Sequence, residues 1–301
     1  MGSEPAAVKP FGGDPADVKT NDSATAAKLL FDSHTHINYE DYSVEARVEV
    51  MDRTEASAVA YVVDVGFSMD SSRQAIADAA DRTWCYAAVG VHPHDADTFT
   101  DDDLTELRLM AKAPRVVAYG EIGLDYYRDY SLRENQKVSF RKQLRLAFET
   151  GLPIIIHDRD SAGETMEILK SEGAFSAERI AAFPANPVSG LPDARILLHC
   201  FSGSAEQAVE YAGIGCTISV AGPVTFKNNK KTGLVASAVP LGNLLIETDT
   251  PFMAPEPFRG QRNEPAHVEF VARRVAELRG LTYEELAAAT TANAKRFYSL
   301  E

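Results

Sequence analysis

The chain has 301 residues, of which 45% are hydrophobic and 25% are charged. This composition is typical of a globular protein and excludes the collagen-like, disordered and coiled-coil classes for most of the chain. Acidic residues number 44 and basic residues 30, which gives a formal net charge of -14. So acidic a protein does not hold nucleic acid through a broad basic surface, and a polyanionic substrate would need a local site or metal ions.

The N-terminal residues 1–28 are rich in Gly, Pro, Asp and Ala and lack the apolar segment of a signal peptide, so we predict a flexible tail ahead of one domain, 29–301. No apolar stretch approaches the roughly 18 residues that a membrane helix needs, and we therefore expect a cytoplasmic protein with no membrane partner. The cysteines Cys85, Cys200 and Cys216 are too few and too far apart for a disulfide framework or a cysteine zinc site. We expect buried free thiols.

Short runs of β-branched and apolar residues alternate with longer amphipathic stretches, which predicts βα units around a parallel sheet. The predicted strands are 29–36, 59–66, 84–91, 116–121, 153–157, 195–199, 215–220 and 244–249. Eight such strands, with no linker of different composition between them, predict an α/β protein with a single (β/α)8 TIM barrel.

Helix and loop signals occupy the stretches between the strands. Asp101 to Asp103 are predicted to begin a helix, because carboxylates favour the positive end of the helix dipole. The prolines of 173–193 predict a loop extension there rather than a helix. Two closing helices are predicted over 265–279 and 282–298, the second capped by Thr282.

The strongest local signal is the pair His34 and His36 at the end of the first predicted strand. Side chains alternate along a strand, so a spacing of two residues puts both imidazoles on one face. Alone, the pair fits two hydrogen-bonded histidines as well as two metal ligands. Further imidazoles and carboxylates end other predicted strands, which favours the metal interpretation. They are Glu121, His157, His199 and Asp249.

The strand ends of a parallel barrel converge on its C-terminal face, where barrel enzymes carry their active sites. Together, these imidazoles and carboxylates supply the N and O ligands that divalent ions such as Mg, Mn or Zn accept. They are too many ligands for one closed structural site. The set therefore predicts two divalent ions about 4 Å apart, bridged by Glu121 or Asp249. The alternative is that these side chains only hydrogen-bond to loops.

A second histidine pair, His92 and His94, flanks a proline at the end of the third predicted strand. Beside a full ligand set, another histidine suits substrate contact or protonation of a leaving group, and we assign that role to His92 with a structural role as the alternative. For His94, a loop hydrogen bond is as consistent with the sequence as a function.

Basic and amide side chains follow the last two predicted strands. Such donors at a barrel mouth bind phosphate, and we select Lys227, Arg259 and Asn263 as substrate-binding residues. Solvated loop charge is the alternative for each of them. Cys200 directly follows His199, and strand alternation predicts that its thiol turns away from the mouth toward the helices.

Several blocks of sequence occur in an order and at a spacing that resemble the TatD family of metal-dependent hydrolases over residues 29–298. These blocks are FDSHTH (31–36), GVHPH (90–94), GEIGLDY (120–126), IH (156–157), LHCFSG (198–203), ETDTP (247–251) and RGQRNEP (259–265). The resemblance implies a (β/α)8 barrel and a metal-dependent deoxyribonuclease, a 3'-5' exonuclease that prefers single-stranded DNA ends. One departure is Gln261, where many relatives carry a basic residue, and it could alter phosphate affinity.

The resemblance puts the same six strand-end residues on the metal positions of the family. On this basis one ion is held by His34, His36 and Asp249, the other by His157 and His199, with Glu121 between them. Catalytic roles fall to Asp249, Glu121 and His92, with Asp249 orienting or deprotonating a water activated by the two ions.

Two other functions remain open on the sequence alone. An amidohydrolase-like enzyme that hydrolyses a small amide, ester or lactone would use the same fold and ligand types. Against it stand the phosphate-type loops and the presence of Glu121 where a carboxylated lysine would bridge ions. A barrel that has lost catalysis is the second alternative, and the complete ligand set argues against it. We expect a monomer with DNA as substrate and no stable protein partner.

Overall fold

The computed structural model describes residues 27–300, so the predicted tail lies outside the described residues except for its last two positions. Strands and helices alternate along the chain. The strands are β1 (Leu30–Thr35), β2 (Val59–Val65), β3 (Cys85–Val89), β4 (Val116–Asp125), β5 (Ile154–Arg159), β6 (Ile196–Leu198), β7 (Cys216–Val220) and β8 (Leu244–Ile246). The helices are α1 (Val44–Ala56), α2 (Met69–Asp81), α3 (Asp101–Met110), α4 (Arg133–Thr150), α5 (Ala162–Ser171), α6 (Ala177–Ala181), α7 (Ala205–Gly213), α8 (Lys230–Ala238), α9 (Val268–Arg279) and α10 (Tyr283–Phe297).

The eight strands form one sheet in chain order from β1 to β8. Every neighbouring pair is parallel. Hydrogen bonds join the segment that follows β8 back to β1, since the Thr248 N–H donates to Asp32 Oδ1 at 2.9 Å and the Asp249 N–H donates to the His34 carbonyl at 3.0 Å. The predicted single (β/α)8 barrel is confirmed.

The interior of the barrel is filled by one apolar cluster drawn from alternate strand positions. It includes Ile155 of β5, Leu197 of β6 and Leu245 of β8, together with Phe297 and Tyr298 at the end of α10. Residues two positions further along a strand lie on the same face. His157 of β5 therefore projects from the inner face above this cluster, and His199 and Asp249 follow the ends of β6 and β8 on the same side of the barrel.

Three elements differ from the sequence-based expectation. β4 continues to Asp125 and β5 to Arg159, so Glu121 and His157 lie within their strands and do not end them. The stretch 173–193 contains the short helix α6, because Ser176 caps it by accepting a hydrogen bond from the Arg179 N–H. The prediction of a loop without a helix was wrong there.

Other local predictions are confirmed by the structure. The acidic run 101–103 begins α3 behind the cap Thr100, and Thr282 forms a capping box with Glu285 at the start of α10. All three cysteines are free, but only Cys85 and Cys216 are buried as predicted, because Cys200 is partly exposed. Within residues 27–300, no helix combines the length and apolar character required to cross a membrane.

Tyr298 ties the end of the chain to β1, because its hydroxyl donates to the Ser33 carbonyl at 2.7 Å. We expect Tyr298→Phe to lower the free energy of unfolding by about 1–2 kcal/mol, since it leaves a buried carbonyl without its partner. Urea unfolding followed by circular dichroism measures the change. The control Tyr127→Phe alters a residue that is 59% exposed and should stay within about 0.5 kcal/mol of wild type. Equal losses in both variants would contradict this role for Tyr298.

Candidate metal centre

His34 and His36 lie side by side at the end of β1, on one face as their spacing predicts. Their Nε2 atoms are 3.1 Å apart, and both side chains are buried. The Nδ1 atom of His36 lies 2.7 Å from the Val65 carbonyl, to which it can only donate a hydrogen bond. In its neutral form His36 therefore keeps the Nε2 lone pair directed at His34 and at the centre of the site.

Asp249 lies just beyond β8 on the same side of the mouth. Its backbone adopts a positive φ of 56°, and its Oδ1 atom is 3.5 Å from His36 Nε2 and 3.9 Å from His34 Nε2. Burial opposes ionisation, but the neighbouring imidazoles of His36 and His199 hold the pKa of Asp249 below its ordinary value. The carboxylate is thus ionised and available as a ligand or a base.

Glu121 stands between two sets of imidazoles. One oxygen, Oε2, is 3.5 Å from the Nε2 atoms of both His34 and His36. The other, Oε1, is 2.6 Å from His157 Nδ1 and 2.7 Å from His199 Nε2. Burial opposes ionisation here also, yet His199 and His157 bring the pKa of Glu121 well below its usual range.

Local backbone geometry allows Glu121 to reach the centre from within β4. The preceding Gly120 has a φ of +149°, a region that favours glycine, and a Cβ there would lie 2.7 Å from the Ile155 carbonyl oxygen. The Glu121 N–H donates to the Gly66 carbonyl at 2.9 Å. Only glycine at position 120 lets β4 pack this closely against β5.

The donor set fits divalent ions. His34, His36 and Glu121 form one group whose ligand atoms all lie within 4.8 Å of one another, and His34 also does so with His199 and Asp249. In their neutral forms these imidazoles offer lone pairs beside the carboxylate charges, and a divalent cation between them would be attracted by both. Mixed imidazole and carboxylate ligands suit Zn, Mn or Mg. The six predicted ligand residues therefore meet in one place.

His92 lies beside this group but differs in its hydrogen bonding. Its Nδ1 atom accepts a hydrogen bond from the His94 N–H at 3.1 Å, and its Nε2 atom lies 3.7 Å from Glu121 Oε1. Burial and the neighbouring His157 hold the pKa of His92 well below its ordinary value. His92 is thus neutral, carries its proton on Nε2, and presents a hydrogen-bond donor to the site.

Two buried carboxylates near the centre were missed by the sequence analysis. Asp125 accepts hydrogen bonds from His157 Nε2 at 3.2 Å and His94 Nε2 at 3.0 Å. Glu247 Oε1 accepts from the Cys200 N–H at 2.6 Å and lies 3.5 Å from His199 Nδ1. Their positions in the blocks GEIGLDY and ETDTP were the available signal. The sequence left the role of His94 open, and in the structure its ring makes a hydrogen bond to the buried carboxylate of Asp125.

The three predicted substrate-binding loop residues have different environments. Arg259 is exposed, and its guanidinium carbon lies 4.4 Å from the centre of the Phe226 ring. Phe226 directly precedes the exposed Lys227, so Arg259 lies close to the loop that carries Lys227. Asn263 is buried, and its amide donates to the Thr248 carbonyl at 2.9 Å and the Phe252 carbonyl at 2.7 Å. Asn263 therefore holds the loop after β8 together, and the structure does not support its selection as a substrate contact.

The prediction for Cys200 was wrong in its direction. β6 ends at Leu198, so strand alternation does not extend to Cys200, whose φ is +42°. Its Sγ atom contacts Met253 Sδ at 3.4 Å, in the loop after β8 at the mouth of the barrel. Burial raises the pKa of this thiol well above its ordinary value, so it remains a poor nucleophile.

Exposed aromatic side chains lie on opposite sides of the centre. On one side Phe252, which is 43% exposed, packs at 5.2 Å against Tyr39 and stands 6.3 Å from the His36 ring. On the other, Tyr130 is 65% exposed and lies 4.8 Å from the ring of His94. The rim of the site thus offers aromatic surface next to the ligand residues.

A parallel eight-stranded barrel with a histidine and carboxylate cluster at its C-terminal end is typical of metal-dependent hydrolases. Comparison with known proteins identifies the family. A family model described as TatD related DNase matches residues 31–299. The chain belongs to this family, as the sequence blocks predict.

Individual relatives match along almost their whole length. The chain is 43% identical over 272 residues to the uncharacterized metal-dependent hydrolase YabD of Bacillus subtilis, covering 90% of this chain and 100% of that protein. It is 33% identical over 278 residues to the 3'-5' ssDNA/RNA exonuclease TatD of Cronobacter sakazakii, covering 89% and 97%. The crystal structure of the TatD homologue YjjV from Escherichia coli superimposes with a TM-score of 0.79 at 28% identity, covering 91% and 99%.

Proposed function

We propose that this protein is a metal-dependent deoxyribonuclease that removes nucleotides from single-stranded DNA ends in the 3'-5' direction. The observation that carries the proposal is the position of Glu121, whose two oxygens face separate sets of imidazoles within 3.5 Å. This arrangement suits two ions, and two-ion sites are typical of phosphodiester hydrolysis. A relative named as a 3'-5' ssDNA/RNA exonuclease supports the substrate class.

Each side chain then has a defined task. When bound, divalent ions supply Lewis acidity toward a phosphoryl oxygen and lower the pKa of water. His34, His36 and Asp249 would hold one ion, and His157 and His199 the other, with Glu121 as the shared ligand. The ionised Asp249 orients the attacking water and accepts its proton.

The neutral His92 donates a hydrogen bond from Nε2. This donor lies 3.7 Å from Glu121 Oε1. It would reach a scissile phosphate or a leaving oxygen bound beside the shared ligand. Because the pKa of His92 is held well below its ordinary value, the geometry favours hydrogen bonding to the phosphate over proton donation from an imidazolium. Donors aimed at developing negative charge stabilise the transition state.

The rim of the site supports a single-stranded substrate. Aromatic faces such as those of Phe252 and Tyr130 stack unpaired bases, whereas a duplex keeps its bases inside the helix. The exposed Lys227 and Arg259 offer local positive charge on an otherwise acidic protein. We include Lys227 and Arg259, but not Asn263, as substrate contacts.

Cleavage of end-labelled DNA tests the proposal. Metal-stripped protein is given Mg, Mn or Zn in turn, and single-stranded and duplex oligonucleotides carry the label at either end. Stepwise shortening from the 3' end that requires metal and prefers single strands is the expected result. Absence of cleavage with any ion, together with hydrolysis of a small ester, amide or lactone, would favour the amidohydrolase-like alternative. The cytoplasmic location, the monomeric state and the identity of the ions stay predictions.

The basic loop residues give a separate prediction. We expect the double variant Lys227→Ala, Arg259→Ala to raise the KM for single-stranded DNA about tenfold at low salt, because it removes two phosphate-binding charges. The effect should shrink as the salt concentration rises. Metal-dependent cleavage at a series of NaCl concentrations measures it, with Lys112→Ala as a matched surface control. An unchanged KM would remove both residues from the proposed substrate path.

Stacking at the rim gives another prediction. We expect Phe252→Ala to lower kcat/KM for a single-stranded oligonucleotide about tenfold, whereas Phe252→Trp should retain most of it, because stacking of a base on an aromatic side chain contributes about 1–3 kcal/mol. Oligonucleotides with an abasic terminal nucleotide serve as the control substrate, and on them all three proteins should perform alike. An equal loss on both substrates would show that Phe252 acts on the metal centre instead.

A further inference from the structure

Asp125 is a buried carboxylate at the end of β4 that none of the proposed catalytic steps uses. Its Oδ1 atom accepts the backbone N–H groups of Tyr127 at 2.9 Å and Arg128 at 2.8 Å. The adjoining backbone is held by Gln136, whose side chain accepts from the Asp125 N–H at 2.9 Å and donates to the Asp125 carbonyl at 3.1 Å. The orientation of this carboxylate is therefore fixed by the loop itself.

The second oxygen of Asp125 faces two imidazoles. Oδ2 lies 3.2 Å from His157 Nε2 and 3.0 Å from His94 Nε2. These nitrogens can only donate to an ionised carboxylate. Because Oδ1 of the same carboxylate accepts two backbone N–H groups, Asp125 serves as an acceptor on both of its oxygens.

This contact determines which nitrogen of His157 is available to the metal centre. With a proton on Nε2, neutral His157 keeps a lone pair on Nδ1, which lies 2.6 Å from Glu121 Oε1 and 3.4 Å from His199 Nε2. The arrangement at His36 is reversed, because its Nδ1 atom pairs with the Val65 carbonyl and Nε2 faces the centre. The two imidazoles thus present different nitrogens to the centre, because the hydrogen-bond acceptor outside the centre faces Nδ1 in His36 and Nε2 in His157.

We propose that Asp125 is a positioning residue that holds His157 as an Nδ1 ligand of the ion shared with His199 and Glu121. The hydrogen bond from His94 braces the same oxygen from the neighbouring loop. The inference rests on the metal centre of the proposed function but not on its substrate. Carboxylates that accept a hydrogen bond from a ligand imidazole fix its tautomer and orientation, and their loss typically lowers metal affinity about 10–100-fold.

Zinc titration of metal-stripped protein tests the effect on affinity. We expect Asp125→Ala to weaken the ion held by His157 and His199 about 10–100-fold and to leave the ion held by His34, His36 and Asp249 unchanged. Competition with a chromophoric chelator resolves the two binding steps. Asp125→Asn, which retains an acceptor oxygen, should give a smaller loss.

The matched control is Asp97→Ala. Asp97 connects the same two loops, since its Oδ1 atom accepts from the Leu132 N–H at 3.0 Å and Asn135 Nδ2 at 2.9 Å, but it has no contact with His157. If Asp125 only braced the loops, both variants would change the melting temperature of the metal-free protein and neither would weaken one ion selectively. That result would overturn the proposal.

A spectroscopic measurement tests the tautomer directly. In zinc-loaded protein labelled with 15N-histidine, long-range 1H–15N correlations should show His157 with its proton on Nε2, with the resonance assigned through a His157→Gln variant. In Asp125→Asn, we expect this Nε2 proton to exchange faster with solvent. A His157 that carries its proton on Nδ1 in the wild type would overturn the inference.

These outcomes are separate from those of the nuclease assay. Metal affinity and tautomer are measured without DNA, so the inference can hold even if the protein cleaves a different bond. If Asp125→Ala fails to fold, the affinity is measured on Asp125→Asn. The proposal is contradicted if that folded variant binds both ions as tightly as wild type and if the proton exchange at His157 is unchanged.

Discussion

Replacing Asp249 by asparagine is expected to lower kcat/KM for single-stranded DNA by about 10²–10⁴-fold, which is the usual contribution of a positioned general base. The change keeps the shape of the side chain and removes its charge. Asp249 Oδ1 lies 3.5 Å from His36 Nε2, and the imidazoles around it keep the carboxylate ionised in the folded protein. An amide in this place neither accepts a proton from water nor balances the charge of an ion.

The measurement is single-turnover cleavage of an end-labelled oligonucleotide at saturating metal. Glu256→Gln is the matched control, because it makes the same chemical change in an exposed residue of the same loop and should leave the rate unchanged. Metal content by atomic emission separates loss of a base from loss of an ion. Full activity in Asp249→Asn would exclude the carboxylate from catalysis and from essential metal binding.

Glu121→Gln is expected to have the largest effect on the metal centre as a whole. Its two oxygens face both sets of imidazoles, at 2.6 Å from His157 Nδ1 and 3.5 Å from His34 Nε2. An amide offers one acceptor oxygen and two N–H donors, so it cannot serve as a shared anionic ligand. We expect the variant to bind fewer ions and to lose about 10³-fold in activity, which corresponds to about 4 kcal/mol of transition-state stabilisation.

Thermal unfolding with and without a chelator gives a readout independent of activity. Wild-type protein at an ion concentration 100 times the Kd should gain about 2.7 kcal/mol from binding, and Glu121→Gln should gain much less. Asp158→Asn is the control, because that carboxylate neighbours His157 in sequence but pairs with Ser161 Oγ at 2.6 Å, away from the centre. Equal stabilisation of Glu121→Gln and wild type by metal would contradict the assignment of a shared ligand.

The sequence predicted the fold and the strand-end cluster of imidazoles and carboxylates because both depend on local patterns. Alternation of apolar runs with amphipathic stretches indicates βα units independently of the contacts between residues that are distant in the sequence. A parallel barrel brings all its strand ends together, so His34 and Asp249 become neighbours although 215 positions separate them in the chain. Their assignment as metal ligands stays a prediction for the ion-binding measurements.

The contacts of individual loop side chains could not be predicted in the same way. Asn263 has the residue type of a phosphate ligand, yet its amide is used by the Thr248 and Phe252 carbonyls. Cys200 follows a strand that ends one residue earlier than predicted, so the alternation rule failed for it. Loop conformation depends on tertiary hydrogen bonds, which residue type alone does not specify.

The sequence by itself determined the eight-stranded barrel, the family and the set of side chains that meets at its mouth, because strand periodicity and strand order fix which residues end on that face. Only the tertiary structure decided how those side chains face one another. The strand β4 runs past Glu121, which puts each carboxylate oxygen toward a different pair of imidazoles, and it ends at Asp125, which selects the nitrogen of His157 that faces the centre. Such choices depend on distances between strands, and no single strand encodes them.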